Sequence, residues 1–175
     1  WLWCQAFTQC KRTGIIYFKS KKETGINKNL VDYKDLSLKY RFFLRFPYFL
    51  YNKLTARICG KKLIQIRTTG RVSKKERKTL LEVIGTINNA PVVIAGFGEK
   101  SDWVLNLRKN PQLEVVWTSL NYTSVAEWLN EEDAIAILSD YKKRNPNLVK
   151  LYESLFERSW DKFYQLPICM FPEIK

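Results

Sequence analysis

Five cations crowd into one short stretch of this 175-residue chain: Arg71, Lys74, Lys75, Arg77 and Lys78 within GRVSKKERK. One hairpin further on, an apolar strand pattern ends in the small-residue loop Ala95-Gly96-Phe97-Gly98 and runs into SDWVLNLRKN, which reads as the start of a short helix. Cationic side chains and the free backbone N–H groups of a helix start are two common ways of holding an anion. Two such elements joined by a single hairpin suggest one phosphorylated ligand gripped from two sides. Glu76 is the one acid inside the basic stretch and sits against the proposed anion site. Other chemistries are poorly served. The chain contains no His, which removes His-based triads. Cys4, Cys10, Cys59 and Cys169 form no C-x-x-C pair, so a zinc site is not expected.

The elements that must position these residues follow from periodicity. Lys62–Thr69 (KLIQIRTT) alternates as a strand, Gly70–Lys78 is a basic turn, and Thr79–Ile87 (TLLEVIGTI) is the returning strand. Asn88-Asn89 supplies residues that tolerate the left-handed region in a tight hairpin, and Pro91–Ala95 follows as a third strand. Ser101 or Asp102 should cap a helix through Arg108, ended by Asn110-Pro111. Leu113–Thr118 and Tyr122–Trp128 read as two strands joined around Leu120-Asn121. Asn130 should cap EEDAIAILSDYKKR, whose acids come first and bases last, as the helix dipole favours. Asn145-Pro146 stops that helix, LVKLYESLF suggests a further one, and LPICMFP a last buried strand. Five or six consecutive strands without βαβ alternation imply a small antiparallel barrel. Gly96-Phe97-Gly98 lacks the third glycine and the βαβ unit of a dinucleotide fingerprint.

Upstream, residues 1–30 hold no period and are treated as an N-terminal extension; residues 31–175 are treated as one domain. Between Tyr33 and Leu54 the apolar spacing turns helical, with Lys39, Arg41, Arg45 and Lys53 interleaved and Pro47 dividing it. A helix covering one end of the barrel is favoured over a basic amphipathic helix on a membrane surface. Charge is lopsided: residues 1–78 hold 20 Lys/Arg against 4 Asp/Glu, while the remaining 97 hold 10 against 13. The total of +13 therefore lies in the first half and points to an anionic partner there. The opening WLWCQAF is too short and wrongly flanked for a signal peptide. Cysteine usage suggests a reduced, cytoplasmic protein, and Cys169 within LPICMFP a small buried residue.

In TTGRVSKKERKTLL and AGFGEKSDWVLNLRKNP the chain resembles the deazaflavin-dependent nitroreductase family, a branch of the split-barrel flavin-binding oxidoreductases. Members carry a segment of the form TTGRKSGKPRxTPL and, beyond a small-residue loop, DWYxNLxxNP. The matching residues are Thr68, Thr69, Gly70, Arg71, Ser73, Arg77 and Thr79, then Asp102, Trp103, Asn106, Leu107, Asn110 and Pro111. LPICMFPE is similar to the family's last barrel strand, and the resemblance runs from about Lys39 to Glu173.

The resemblance implies a split β-barrel with flanking helices. It also implies coenzyme F420, a deazaflavin with a phosphate and an acidic glutamyl tail, passing a hydride to a small acceptor such as a quinone, nitro compound or activated alkene. FMN in the same fold is the alternative cofactor. Arg71, Ser73, Lys74, Arg77, Lys78 and Thr79 would then meet the phosphate and tail. Ala95, Gly96, Phe97 and Gly98 would let backbone approach the ring, and Asp102, Trp103, Leu105, Asn106 and Leu107 would back it. Plain core packing accounts for Trp103 and Leu107 as readily; Lys61, Lys62, Arg67, Arg108 and Lys109 read as solvated charge. No general acid is named, because the coenzyme carries the hydride and water can carry the proton.

Departures from the family pattern stand out. Lys74 replaces a glycine, Glu76 replaces a proline, and the tyrosines of the nitroimidazole-reducing members have only Tyr141 and Tyr152 as loose substitutes. Partner expectations are a small-molecule acceptor and no nucleic acid, with a homodimer and peripheral contact with anionic membrane left open. A non-catalytic basic module for nucleic acid or membrane is the contrasting class; it would interleave exposed aromatics with Lys/Arg on one sheet face.

Overall fold

The computed structural model describes residues 60–174. The N-terminal extension, the helix expected over 33–54, and Cys4, Cys10 and Cys59 lie outside the described residues. Among the described residues seven strands and three α-helices follow in the order β1 (Leu63–Thr69), β2 (Glu76–Ile87), β3 (Ala90–Ile94), α1 (Asp102–Lys109), β4 (Gln112–Trp117), β5 (Leu120–Val125), β6 (Glu127–Trp128), α2 (Glu131–Arg144), α3 (Pro146–Phe156) and β7 (Ile168–Met170). Every strand pair is antiparallel, in the order β5-β4-β1-β2-β3-β7-β6. The two ends of that order, β5 and β6, are consecutive in the chain, so the sheet must curl. A bridge between Ser124 and Glu173, with Ile174 N–H donating to the Thr123 carbonyl at 3.2 Å, brings the chain after β7 against β5. The result is the split antiparallel barrel with flanking helices.

Three sequence expectations are corrected. The basic turn is shorter than Gly70–Lys78: Glu76, Arg77 and Lys78 already belong to β2, opposite Thr69, Thr68 and Arg67. The β4–β5 turn lies at Thr118-Ser119, where Thr118 takes a φ of 57°, and Leu120-Asn121 open the next strand. Tyr122–Trp128 is two strands, because the chain leaves β4 after Val125 and pairs with β7 from Glu127. The Asn88-Asn89 hairpin stands, with both residues at positive φ.

Strand alternation feeds two cores. Ile64, Ile66, Val93, Val115 and Phe171 fill the barrel with Val104 and Leu107 of α1. Val92, Ile84 and Ile168 face the other way, onto Tyr141 of α2, Val149 of α3, and Trp160 and Phe163 of a 3₁₀ segment (Trp160–Gln165). β3 is apolar throughout because both its faces are covered. At the bulge between Val83 and Gly85, a Cβ on Gly85 would stand 2.4 Å from Ile137 Cδ1 of α2, so glycine there lets the Ile137 side chain pack directly on the strand. The helix caps follow composition: Asn130 Oδ1 accepts the Asp133 N–H at 2.8 Å, and Pro146 opens α3.

Candidate functional site

β1 ends at Thr69, and Gly70 N–H donates to the Lys75 carbonyl at 2.9 Å, closing the turn. Gly70 is required for closeness: a Cβ there would lie 2.7 Å from Ser73 Oγ and 3.2 Å from the Lys75 oxygen. Lys74 takes the left-handed conformation, φ 57°, at the position where the family pattern carries glycine. The turn therefore reaches its shape at a backbone cost of about 1 kcal/mol.

The turn is clasped to α1. Arg71 N–H donates to Asn106 Oδ1 at 3.0 Å, and Arg71 Nη1 donates to Asp102 Oδ1 at 2.8 Å. Asn106 Nδ2 reaches on to Thr68 Oγ1 at 3.3 Å. Asn106 is 4% exposed, so its amide joins turn to helix and both its polar atoms are committed to the protein. The sequence motifs TTGR and DWVLNL thus meet as one constellation. Trp103 and Leu107 lie in the barrel core, Trp103 stacked on Trp128 at 6.4 Å, and Leu105 is half-buried.

Charge in the turn is unevenly committed. Lys78 Nζ lies 3.5 Å from Glu76, and Arg71 is held by Asp102. Among the described residues Lys74, Lys75 and Arg77 form no ion pair, and all three are exposed. Arg77 Nη2 donates to Ser73 Oγ at 3.2 Å, and Thr79 is half-buried behind them on β2. The cations of this hairpin without an ion pair are therefore Lys74, Lys75 and Arg77.

Beyond β3 the loop Ala95–Gly98 closes with Gly98 N–H donating to the Ala95 carbonyl at 2.8 Å, Gly98 at φ 68°. Gly96 has a neighbour that its sequence gave no sign of: a Cβ there would stand 2.5 Å from Phe156 Cζ at the end of α3. Ser101 is the N-cap residue of α1, but its side chain makes no capping bond and its buried Oγ has no partner. An uncommitted hydroxyl at a helix start, beside a glycine loop and a cationic turn, fits a ligand carrying a phosphate and carboxylates.

Two expectations about the surroundings change. Arg108 is no merely solvated charge: its guanidinium sits 3.9 Å above the Trp128 ring and pairs with Glu99 at 3.0 Å. Arg67 is half-buried and pairs with Glu114 at 3.2 Å. Glu82, which sequence reasoning passed over, meets Tyr141 and Tyr152, the loose substitutes for the family's tyrosines, behind β2. Glu82 accepts from Tyr141 Oη at 2.7 Å and from Tyr152 Oη, joining α2 and α3 to the sheet. Burial pushes the Glu82 carboxyl up from its ordinary value, against the opposing pull of the two tyrosine hydrogen bonds and of Lys62. Burial, reinforced by Glu82, raises both tyrosines as well. The available signal was Glu82 itself, the only charge in TLLEVIGTI.

A family model for F420H(2)-dependent quinone reductase matches residues 44–159, which span the clasp, the loop and all three helices. The chain belongs to that family. It is accordingly an F420H2-dependent oxidoreductase, and coenzyme F420 is its cofactor. No curated protein sequence matches the chain. A solved structure described as a domain-swapped dimer is 17% identical, with a TM-score of 0.51 over 77% of this chain and 97% of that one. Protein Atu2129 from Agrobacterium tumefaciens is 15% identical, with a TM-score of 0.50 over 69% of this chain and 53% of that one. A structure of the F420-H2 dependent reductase FDR-A is 19% identical, with a TM-score of 0.49 over 65% and 96%. At these identities the structural likeness concerns the fold.

Proposed function

We propose that this reductase delivers its hydride to a small, flat acceptor of the quinone type, with nitro compounds and activated alkenes as further candidates. F420H2 supplies the hydride; the chain binds, orients and shields. In this reading Lys74, Lys75 and Arg77, with Arg71, Lys78, Ser73 and Thr79 beside them, hold the phosphate and glutamyl tail. Ala95, Gly96, Phe97 and Gly98 border the ring, while Asp102, Trp103, Leu105, Asn106 and Leu107 form the wall behind it.

The observation that carries the reading is the clasp of Arg71 onto Asp102 and Asn106. It holds a cationic turn and a helix start with an uncommitted Ser101 hydroxyl in one rigid unit, the arrangement that a ligand with two or more anionic groups requires. Asp102 orients Arg71 while offsetting part of its charge, so the strongest tail contacts fall to the unpaired cations.

The test is a titration of the protein with oxidised F420 and, separately, FMN, repeated with Arg71→Ala/Arg77→Ala. Micromolar or tighter F420 binding, weak FMN binding and a strong loss in the double variant support the assignment. F420 binding untouched by the double variant would move the tail elsewhere. Turnover of F420H2 with a quinone, compared with a nitroimidazole, then ranks the acceptors. A homodimer, peripheral attachment to anionic membrane and a cytoplasmic location belong to the same proposal; sedimentation, with and without anionic vesicles, tests the first two. Titration of free thiols in the protein as isolated tests the reducing compartment that a cytoplasmic location requires.

A further inference from the structure

Phe156 is the last residue of α3, and its ring stands end-on against the Ala95–Gly98 loop. Its Cζ would lie 2.5 Å from a Cβ on Gly96, and it meets Phe97 edge to face at 5.5 Å between centroids. Gly96, Phe97 and Phe156 are each half-buried, whereas Ala95 and Gly98 are buried. The loop therefore presents a partly open apolar edge, and Phe156 forms its side. The ring is held from behind. One helical turn earlier, Tyr152 lies 6.3 Å from Phe156, and its hydroxyl donates to Glu82 on β2. The backbone cannot simply continue past Phe156, because Glu157 takes a left-handed conformation at φ 47° and ends the helix.

From this we infer that Phe156 is the residue that limits acceptor size, and that Glu82, acting through Tyr152, is a positioning residue for it. The inference rests on the reading of Ala95–Gly98 as the loop that borders the deazaflavin ring. An acceptor must approach that ring closely to take a hydride, so a side chain packed on the same loop bounds the space beside it. A phenyl edge suits a planar, unsaturated, apolar acceptor, because aromatic rings pair edge to face or offset-stacked. It restricts anything with a second fused ring or a bulky substituent on that side.

The experiment uses the full chain and two acceptors, a single-ring benzoquinone and a fused two-ring naphthoquinone, with F420H2 as donor. Oxidised F420 affinity and Tm are measured for every variant. Phe156→Ala is expected to shift the kcat/KM ratio toward the larger quinone by about tenfold, mainly through KM, with F420 affinity changed by less than about threefold. Phe156→Leu should shift it the same way by a smaller factor, and carries the test if the alanine variant does not fold. Glu82→Ala should give a shift resembling that of Phe156→Leu, and Glu82→Gln, which keeps an oxygen acceptor, should restore the wild-type ratio. A folded Phe156 variant with an unchanged ratio would overturn the inference. Phe97→Leu separates the two levels. If it alters F420 affinity while Phe156 variants leave the ratio alone, only the role of Phe156 falls. If neither Phe97→Leu nor the Phe156 variants affect F420 affinity or the ratio, the ring-loop reading falls with it.

Discussion

At its start β2 carries Arg77 and Lys78 in water beside Glu76, while further along the same strand Glu82 turns both carboxylate oxygens onto tyrosines of two helices. In the first region charges stay hydrated, repel one another mildly and add to a local positive field, so each contributes little to folding and much to capture of an anion. In the second, one desolvated charge is tied into a network where losing a partner leaves buried hydroxyls unsatisfied. Near the barrel's two faces, one strand thus serves recognition at one end and fixes the position of helices at the other. Charge count predicts the first function and says nothing about the second.

The sharpest way to break that contrast is Glu82→Ala. It removes the acceptor of two tyrosine hydroxyls and should cost about 2–4 kcal/mol of stability, read as a fall in Tm. Arg71→Ala/Arg77→Ala should do the reverse, leaving Tm nearly unchanged and weakening F420 by about 30–100-fold, or roughly 2–3 kcal/mol. Raising ionic strength from about 0.01 M to 0.5 M should weaken wild-type F420 binding several-fold, yet leave the Tm gap between wild type and Glu82→Ala in place, since screening reaches exposed charges more than buried ones. A pH series sharpens the point. The folded protein holds the Glu82 proton more tightly than the ordinary value of 4.5, so Glu82 favours folding below that value and loses this contribution as pH rises through its raised folded value. Denaturation of wild type and Glu82→Gln across pH 4–8 should show wild type losing stability relative to the variant as pH rises through that window; parallel curves would refute it. The smallest effect belongs to Lys74→Gly, which relieves a positive φ and should stabilise by about 0.5–1 kcal/mol while loosening F420 a few-fold.

Much of the scaffold was legible because it is written in short-range patterns. Asn88-Asn89, Asn130 and Asn145-Pro146 mark hairpin, cap and helix boundary through the local chemistry of asparagine and proline, and each stands where it reads. The β4–β5 turn was misplaced by two residues because WTSLNY contains no glycine, and Thr118 adopts a left-handed conformation that its own preferences oppose. The break at Ala126 was invisible because YTSVAEW contains no glycine or proline to mark it; only the change of partner from β4 to β7 divides it.

The candidate site divides along the same line. The sequence by itself determined that Arg71, Lys74, Lys75, Arg77 and Lys78 cluster at one β-hairpin, the last two on its returning strand, and that Gly96 and Gly98 precede a helix, since residues close in the chain are close in space. Only the tertiary structure decided which cations remain unpaired, because Asp102 reaches Arg71 from 31 positions away. It also decided what lies against Gly96, where α3 delivers Phe156, and what Glu82 is for, because Tyr152 arrives from 70 positions away. Local composition sets which groups are charged and how a turn bends; desolvation and long-range pairing, which depend on what packs against each group, set what those charges do.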